Sequence, residues 1–217
     1  MKTLCLLISL ASASLAQTTD PVILEPERTL ATATNASAKE IIYIEVKVTS
    51  GTPIPVTSYN SRDFFFGYGF GPAETINMVP ELPENAKAQV TFVQFADGST
   101  WGKVDCPKSA EDLRMREPKL KFYEGLLAAY AHGGEPALDA VLNAQIKAAR
   151  RPLYAPVQIG DATSFETRVT QVLAGAAAGL LRIKEQAGTG WVLTRLRHKV
   201  RTAGTRSRSA LQTVAPQ

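Results

Sequence analysis

The sequence predicts an α+β protein, with a β-rich first half and a helical second half. Three observations carry this. Strand-length β-branched runs and turn residues recur from Val22 to Val104, composition changes after Cys106-Pro107, and apolar residues then repeat at helical spacing as far as Ile183.

A leader is expected ahead of both halves. In MKTLCLLISLASASLAQ, Lys2 supplies the charged start and Leu4 to Leu10 a short apolar run, with Ser14 and Ala16 at the positions before a cut; Ala11 and Ala13 are a second choice. Residues 1–16 are therefore expected to be a signal peptide. Secretion, or placement in the periplasm or cell envelope, follows. The run is too short to span a bilayer. Cys5 is expected to leave with the leader, and Cys106 then has no partner within the chain; burial is the expected fate of its thiol, with pairing between chains as the alternative.

The expected β-domain covers residues 17–107. Asp20 to Asn35 reads as a lead-in with one edge strand at Val22 to Leu24. Ile41 to Val48 is the clearest strand, with Ile42, Ile44, Val46 and Val48 assigned to one side and Ile41, Tyr43, Glu45 and Lys47 to the other. Two or three short strands follow between Val56 and Pro83, one of them near Glu74 to Val79. Val90, Phe92 and Gln94 alternate with Thr91, Val93 and Phe95, and Asp97-Gly98 turns the chain into Thr100 to Val104 as a hairpin. Strands this short, with turns this frequent, point to an immunoglobulin-like β-sandwich or a related open barrel.

A helical region of about three helices is expected over residues 108–190. Ser109 with Asp112 resembles a capping box, and Pro118 opens a helix through Leu120, Tyr123, Leu127 and Tyr130 that Gly133-Gly134 ends. A second starts at Pro136 and stops before Pro152. A third follows the cap signal Thr163 to Glu166, and its stripe runs from Phe165 to Ile183. Residues 191–217 read as a basic, disordered tail. Of the 24 Lys and Arg, Lys2 leaves with the leader and six lie in the last 23 residues. The remaining 17 face 20 acidic residues, so the body is acidic and the tail basic.

Chemistry-bearing motifs are sparse. His132 and His198 are the two histidines, and neither a zinc cluster nor a histidine-based triad assembles around them. No nucleophile elbow, phosphate loop or dinucleotide fingerprint occurs. No cofactor and no metal are expected, and the chain reads as a non-catalytic structural or interaction protein of the cell envelope. The alternative is an envelope-polymer hydrolase working through paired carboxylates, for which Asp97, Asp105, Glu74 and Glu81 are the candidates. Asp97-Gly98-Ser99 fits a hairpin turn better than a calcium loop, because Lys108 stands where the closing Glu would be.

The segment DFFFGYGFGP, Asp63 to Pro72, is the most unusual stretch. In an extended chain Phe66, Tyr68 and Phe70 form a row of rings alternating with glycines, serving as a core strand or as an exposed binding platform. With Trp101, read mainly as packing across the hairpin, they are the candidate binding residues for a protein or an envelope polymer. Arg195, Arg197, Lys199 and Arg201, interleaved with Trp191, Val192, Leu196 and Val200, are the candidates for an anionic membrane surface. Nucleic acid is not an expected partner, since the positive charge sits on a terminus of an exported chain. Gly175 and Gly179 form a GxxxG read as close packing between soluble helices, and Asn35-Ala36-Ser37 matches a glycosylation sequon.

The stretch FVQFADGSTWG, preceded by NASAKEIIYIEVKV, resembles uncharacterised exported bacterial proteins that join an immunoglobulin-like sandwich to a helical C-terminal segment. The resemblance covers Asn35 to Val104. It implies a fold and an extracytoplasmic location, and it transfers no functional residue.

Overall fold

The structure is a computed structural model that describes residues 20–27, 30–51, 56–79, 82, 85–149 and 164–206. The expected signal peptide, Cys5, Glu81 and the last eleven residues lie outside the described residues.

Among the described residues seven strands form two antiparallel sheets. Strands β1 (Val22–Glu27), β2 (Leu30–Asn35) and β5 (Thr75–Val79) make one, in the order β1-β2-β5. The other contains β3 (Ile41–Ser50), β4 (Val56–Asp63), β6 (Lys87–Phe95) and β7 (Thr100–Gly102), in the order β4-β3-β6-β7. Their inner faces share a core: Val22, Ala31, Ala33 and Met78 from the first meet Ile44, Val46, Val48, Val90, Val93 and Phe95 from the second. The Asp97-Gly98 turn forms as expected, with Gly98 at φ 86°. Strand β2 was not expected, because its Thr-Ala alternation has little apolar bulk. It is secured by pairing on both sides, to β1 and to β5.

The alternation assigned to β3 changes at a bulge. Register slips against β6 between Ile41 and Tyr43, so Ile41 joins the sandwich core and Ile42 turns to the opposite face, where it packs with Phe65, Leu120 and Ala203. A second slip between Glu45 and Val46 turns Phe92 outward to meet Tyr43 and Leu113, while Val90 stays inside. One extra residue reverses the facing of everything beyond it.

That outer face is buried because helices cover it. Among the described residues four helices follow the strands: α1 (Pro107–Arg114), α2 (Arg116–Ala148), α3 (Phe165–Ala187) and α4 (Thr189–Thr205). Helix α1 starts at Pro107 after Cys106, which leaves Ser109 buried inside the helix and not at its cap. Glu45, fully buried, directs this entry: its carboxylate accepts from Thr91 Oγ1 at 2.6 Å, Asp105 N at 2.9 Å and Cys106 N at 3.3 Å. Cys106 is half-buried and not buried as expected, since it stands before the first turn of α1 and outside the core. The two helices expected either side of Gly133-Gly134 meet end to end across a kink, where Gly134 holds φ 64° and Pro136 opens the second arm. Ser164 caps α3, accepting from Thr167 N at 3.3 Å.

The tail reading is corrected from residue 191 to residue 206. Thr189–Thr205 is helix α4, and its Val192 and Leu196 are fully buried with Leu126, Leu138, Leu142 and Ala177. Val192, Leu196 and Val200 recur every four residues, and α2 and α3 together offer the groove that this stripe fills. The GxxxG reading is also corrected: nothing approaches a Cβ placed at Gly175 or Gly179, and α3 is buried through Ala174, Ala177 and Leu180 instead. Among the described residues no helix is long and apolar enough to cross a membrane.

Candidate functional site between the aromatic-glycine segment and the last helix

Beyond Asp63, the last residue of β4, the segment as far as Pro72 is not a strand. After β4 the chain turns at Phe65 and Phe66 and touches the sheet again only at Phe70, which exchanges both backbone hydrogen bonds with Ile41 at 2.9 Å. The expected row of rings therefore disperses. Phe70 enters the sandwich core, Phe65 is fully buried on the outer face, Phe66 is half-buried against the helices, and Tyr68 is 85% exposed.

Two buried arginines fix this path. Arg116, in the first turn of α2, donates from Nε and Nη2 to the two oxygens of Asp63 at 3.2 and 2.9 Å, and from Nη1 to Gln94 Oε1. Its guanidinium also lies over the rings of Phe65 and Tyr43, at 4.6 and 5.4 Å. Arg206, at the end of α4, donates to the carbonyls of Phe64 and Phe65 and pairs with Glu40 Oε1 at 2.7 Å. Buried guanidinium groups persist where donors and charge are met together, as here. A Cβ at Gly69 would stand 1.8 Å from Glu40 Oε1, so a larger residue there would push the Glu40 carboxylate from its place beside Arg206.

Asn35 closes the other end of the segment. Its buried amide donates to Phe70 O at 2.8 Å and Lys39 O at 2.9 Å, and its oxygen accepts from Ser37 N and Ser37 Oγ. The asparagine of the sequon is thus a structural pin with no free amide to carry a glycan in the folded chain.

Held in this way, the segment forms one wall of a cleft of about 490 Å³ whose other wall is α4. Phe66, Gly67 and Tyr68 line it from one side; Trp191, Thr194, Arg195, His198 and Lys199 line it from α4, and Ile183 from α3. Trp191 is 64% exposed, and the ring of His198 lies 5.3 Å from that of Tyr68. Phe66 stands edge-on to Tyr123 with centroids 5.4 Å apart, and the Lys199 ammonium lies 5.4 Å from the Tyr123 ring and 5.8 Å from the Phe66 ring. Burial, then the charges of Arg195 and Lys119, lower the pKa of Lys199; Asp63 acts in the opposite direction. Burial likewise raises the Tyr123 phenol. Among the described residues Lys199 has no ion-pair partner.

The two sets of candidates named from the sequence meet only in part. Phe66 and Tyr68 from the first share the cleft with Arg195 and Lys199 from the second. Phe70 is excluded by its burial. Trp101 is half-buried on β7 and packs on the sandwich core beside a separate groove with Val22, Leu24 and Val90. Arg197 and Arg201 are exposed on α4 but do not line the cleft. Since Val192, Leu196 and Val200 are committed to the helical core, α4 has no free apolar side to lay on a bilayer. Trp191 and His198 were not among the expected site residues. Trp191, Arg195, His198 and Lys199 follow helical spacing, a signal readable only once this stretch is taken as a helix.

The candidate carboxylates hold structural positions. Asp97 pairs with Lys39 at 2.7 Å and accepts from Ser99, which draws its pKa down to about 2. Asp105 binds Lys47 at 3.0 Å and the Tyr59 hydroxyl at 2.9 Å, and Glu74 accepts from Gly71 N at 2.6 Å. None of the three lines the cleft. Among the described residues no group of three His, Cys, Asp or Glu gathers to hold a metal ion.

No family model matches the chain, and neither a curated protein nor a solved structure matches it.

Proposed function

We propose that the chain is an exported, non-catalytic interaction protein of the cell envelope that binds its partner in the cleft between the aromatic-glycine segment and α4. The observation that carries this reading is the exposure of Tyr68 and Trp191, at 85% and 64%, on opposite walls of a recess. Large rings held open to water by a rigid frame supply contact area at small entropic cost, which favours a binding role. The leader-like start of the sequence supports export, as does the resemblance to exported sandwich proteins.

The β-domain is read as immunoglobulin-like. Its order, β1-β2-β5 facing β4-β3-β6-β7, is that of strands A, B and E facing C′, C, F and G in such sandwiches. The inter-sheet disulfide of antibody domains has no counterpart here, because Cys106 lies beyond the last strand. A sandwich of this kind serves as a scaffold that presents connecting segments to partners. In this chain the β4–β5 connection is the segment presented.

The test is capture from the source envelope fraction by the mature chain, at low and high salt, beside a Tyr68→Ala/Trp191→Ala variant. Salt-resistant capture of a defined partner, lost in the variant at unchanged melting temperature, is the expected result. Equal capture by both proteins overturns the cleft as the binding surface.

A further inference from the structure

Positive charge converges on the cleft without a matching carboxylate among the described residues. Arg195 and Lys199 lie one turn apart on α4, and Lys119 is near enough to act on Lys199. Asp63 is the carboxylate felt there, yet both its oxygens are occupied by Arg116. Lys199 is also partly withdrawn from water between two rings, where a Coulomb contact is screened less than at the open surface. The rest of the lining is largely apolar, through Phe66, Tyr68, Ile183 and Trp191, and the volume lies in the range of small-molecule sites.

Resting on the cleft as the binding surface, we infer that its ligand is an organic anion: a planar or apolar body carrying one oxyanion group, carboxylate or phosphate. The oxyanion meets Lys199 and Arg195, and the body covers the rings of Tyr68 and Trp191. A polyanion adsorbed on the outer surface would draw on Arg197 and Arg201 as well, and these lie outside the cleft. An unmodified apolar ligand would leave the converging cations unanswered and desolvate them at a cost.

Titration calorimetry on the mature chain tests this with four probes: biphenyl-4-carboxylate, phenyl phosphate, the uncharged biphenyl-4-methanol and inorganic phosphate. The carboxylate or phenyl phosphate is expected to bind at least about tenfold more tightly than both the alcohol and inorganic phosphate, as a charge-assisted contact added to ring burial requires. The tighter of the two serves as the reference probe for the variants. Lys199→Gln should weaken that probe about tenfold and Arg195→Gln several-fold, with the alcohol unaffected, while Arg197→Gln/Arg201→Gln changes little. Equal affinity for alcohol and carboxylate, both lost in Tyr68→Ala, overturns the anion class and leaves the cleft as a binding surface. Inorganic phosphate binding as tightly as the aromatic anions removes the need for an apolar body and overturns the inference. The same follows if binding depends on Arg197 and Arg201 and not on Lys199. If none of the probes binds while Tyr68→Ala/Trp191→Ala still abolishes envelope capture, the ligand class is wrong and the proposed function stands. The comparison among probes on the unaltered chain needs no variant to fold.

Discussion

Arg116 shows how much one side chain contributes to joining the β and α layers. Its guanidinium is 1% exposed, bidentate on Asp63, bonded to Gln94 and stacked on two rings. Removing one partner of such a pair strands the other charge, so Arg116→Ala should cost about 3–5 kcal/mol in urea denaturation. Asp63→Asn combined with Arg116→Met should cost less than the two single changes added together. At the exposed end of the scale, Asp97 contributes little and reveals itself through pH. Its carboxyl falls from the ordinary 3.8 to about 2 in the fold, chiefly through Lys39 and then Ser99. A depressed carboxyl stabilises the fold fully above its unfolded value and loses that contribution as pH falls from about 4 through 2. Because Lys39 and Asp97 are half exposed, the contribution is below about 1 kcal/mol. Melting temperatures of Asp97→Asn and the unaltered chain should differ slightly at pH 6 and converge near pH 2.

Elements differ in how far their local pattern explains them. In α3, Gly175 and Gly179 sit mid-helix with open space where a Cβ would go. Gly175→Ala and Gly179→Ala should therefore each stabilise the protein by about 0.5–1 kcal/mol, read as a raised melting temperature; a loss would mean that a partner packs against them. Gly102 gives the opposite outcome. It holds φ 73°, and a Cβ would stand 2.1 Å from the Thr91 carbonyl oxygen, so Gly102→Ala should lower the melting temperature and loosen the β6–β7 hairpin. Strands β1, β3, β5, β6 and β7 are legible from alternation and turn residues. Strand β2 is not, because Ala31 and Ala33 are too small to mark a core face until the opposing sheet is in place.

In the whole molecule, α4 acts as a latch. It fills the groove between α2 and α3 and, through Arg206, grips a segment 142 positions earlier in the chain. Ending the chain at Gly188 should remove this latch and open the helical core around Leu126 and Leu142. The expected result is loss of helical circular dichroism beyond that of α4 itself, with binding of a hydrophobic dye. Retention of cooperative unfolding with only the α4 signal missing would refute the latch. Half of the candidate site is visible in the sequence as unusual composition at Phe66 and Tyr68 and as clustered charge at Arg195 and Lys199. That these are one site is not visible, because the two stretches are joined by no local rule.

From the sequence alone come the β-then-α order, the strong strand at Ile41 to Val48, the Asp97-Gly98 hairpin and the breaks at Gly133-Gly134 and Gly188. Each rests on periodicity or backbone preference within a few residues. The tertiary structure alone decides that the basic stretch from Arg195 is a packed helix, that Phe66, Tyr68 and Phe70 go to three different environments, and that Tyr68 meets His198. These outcomes depend on which surfaces remain to be covered once the sheets have closed. An arginine is buried only where distant carboxylates and carbonyls converge on it, and no local pattern contains that information.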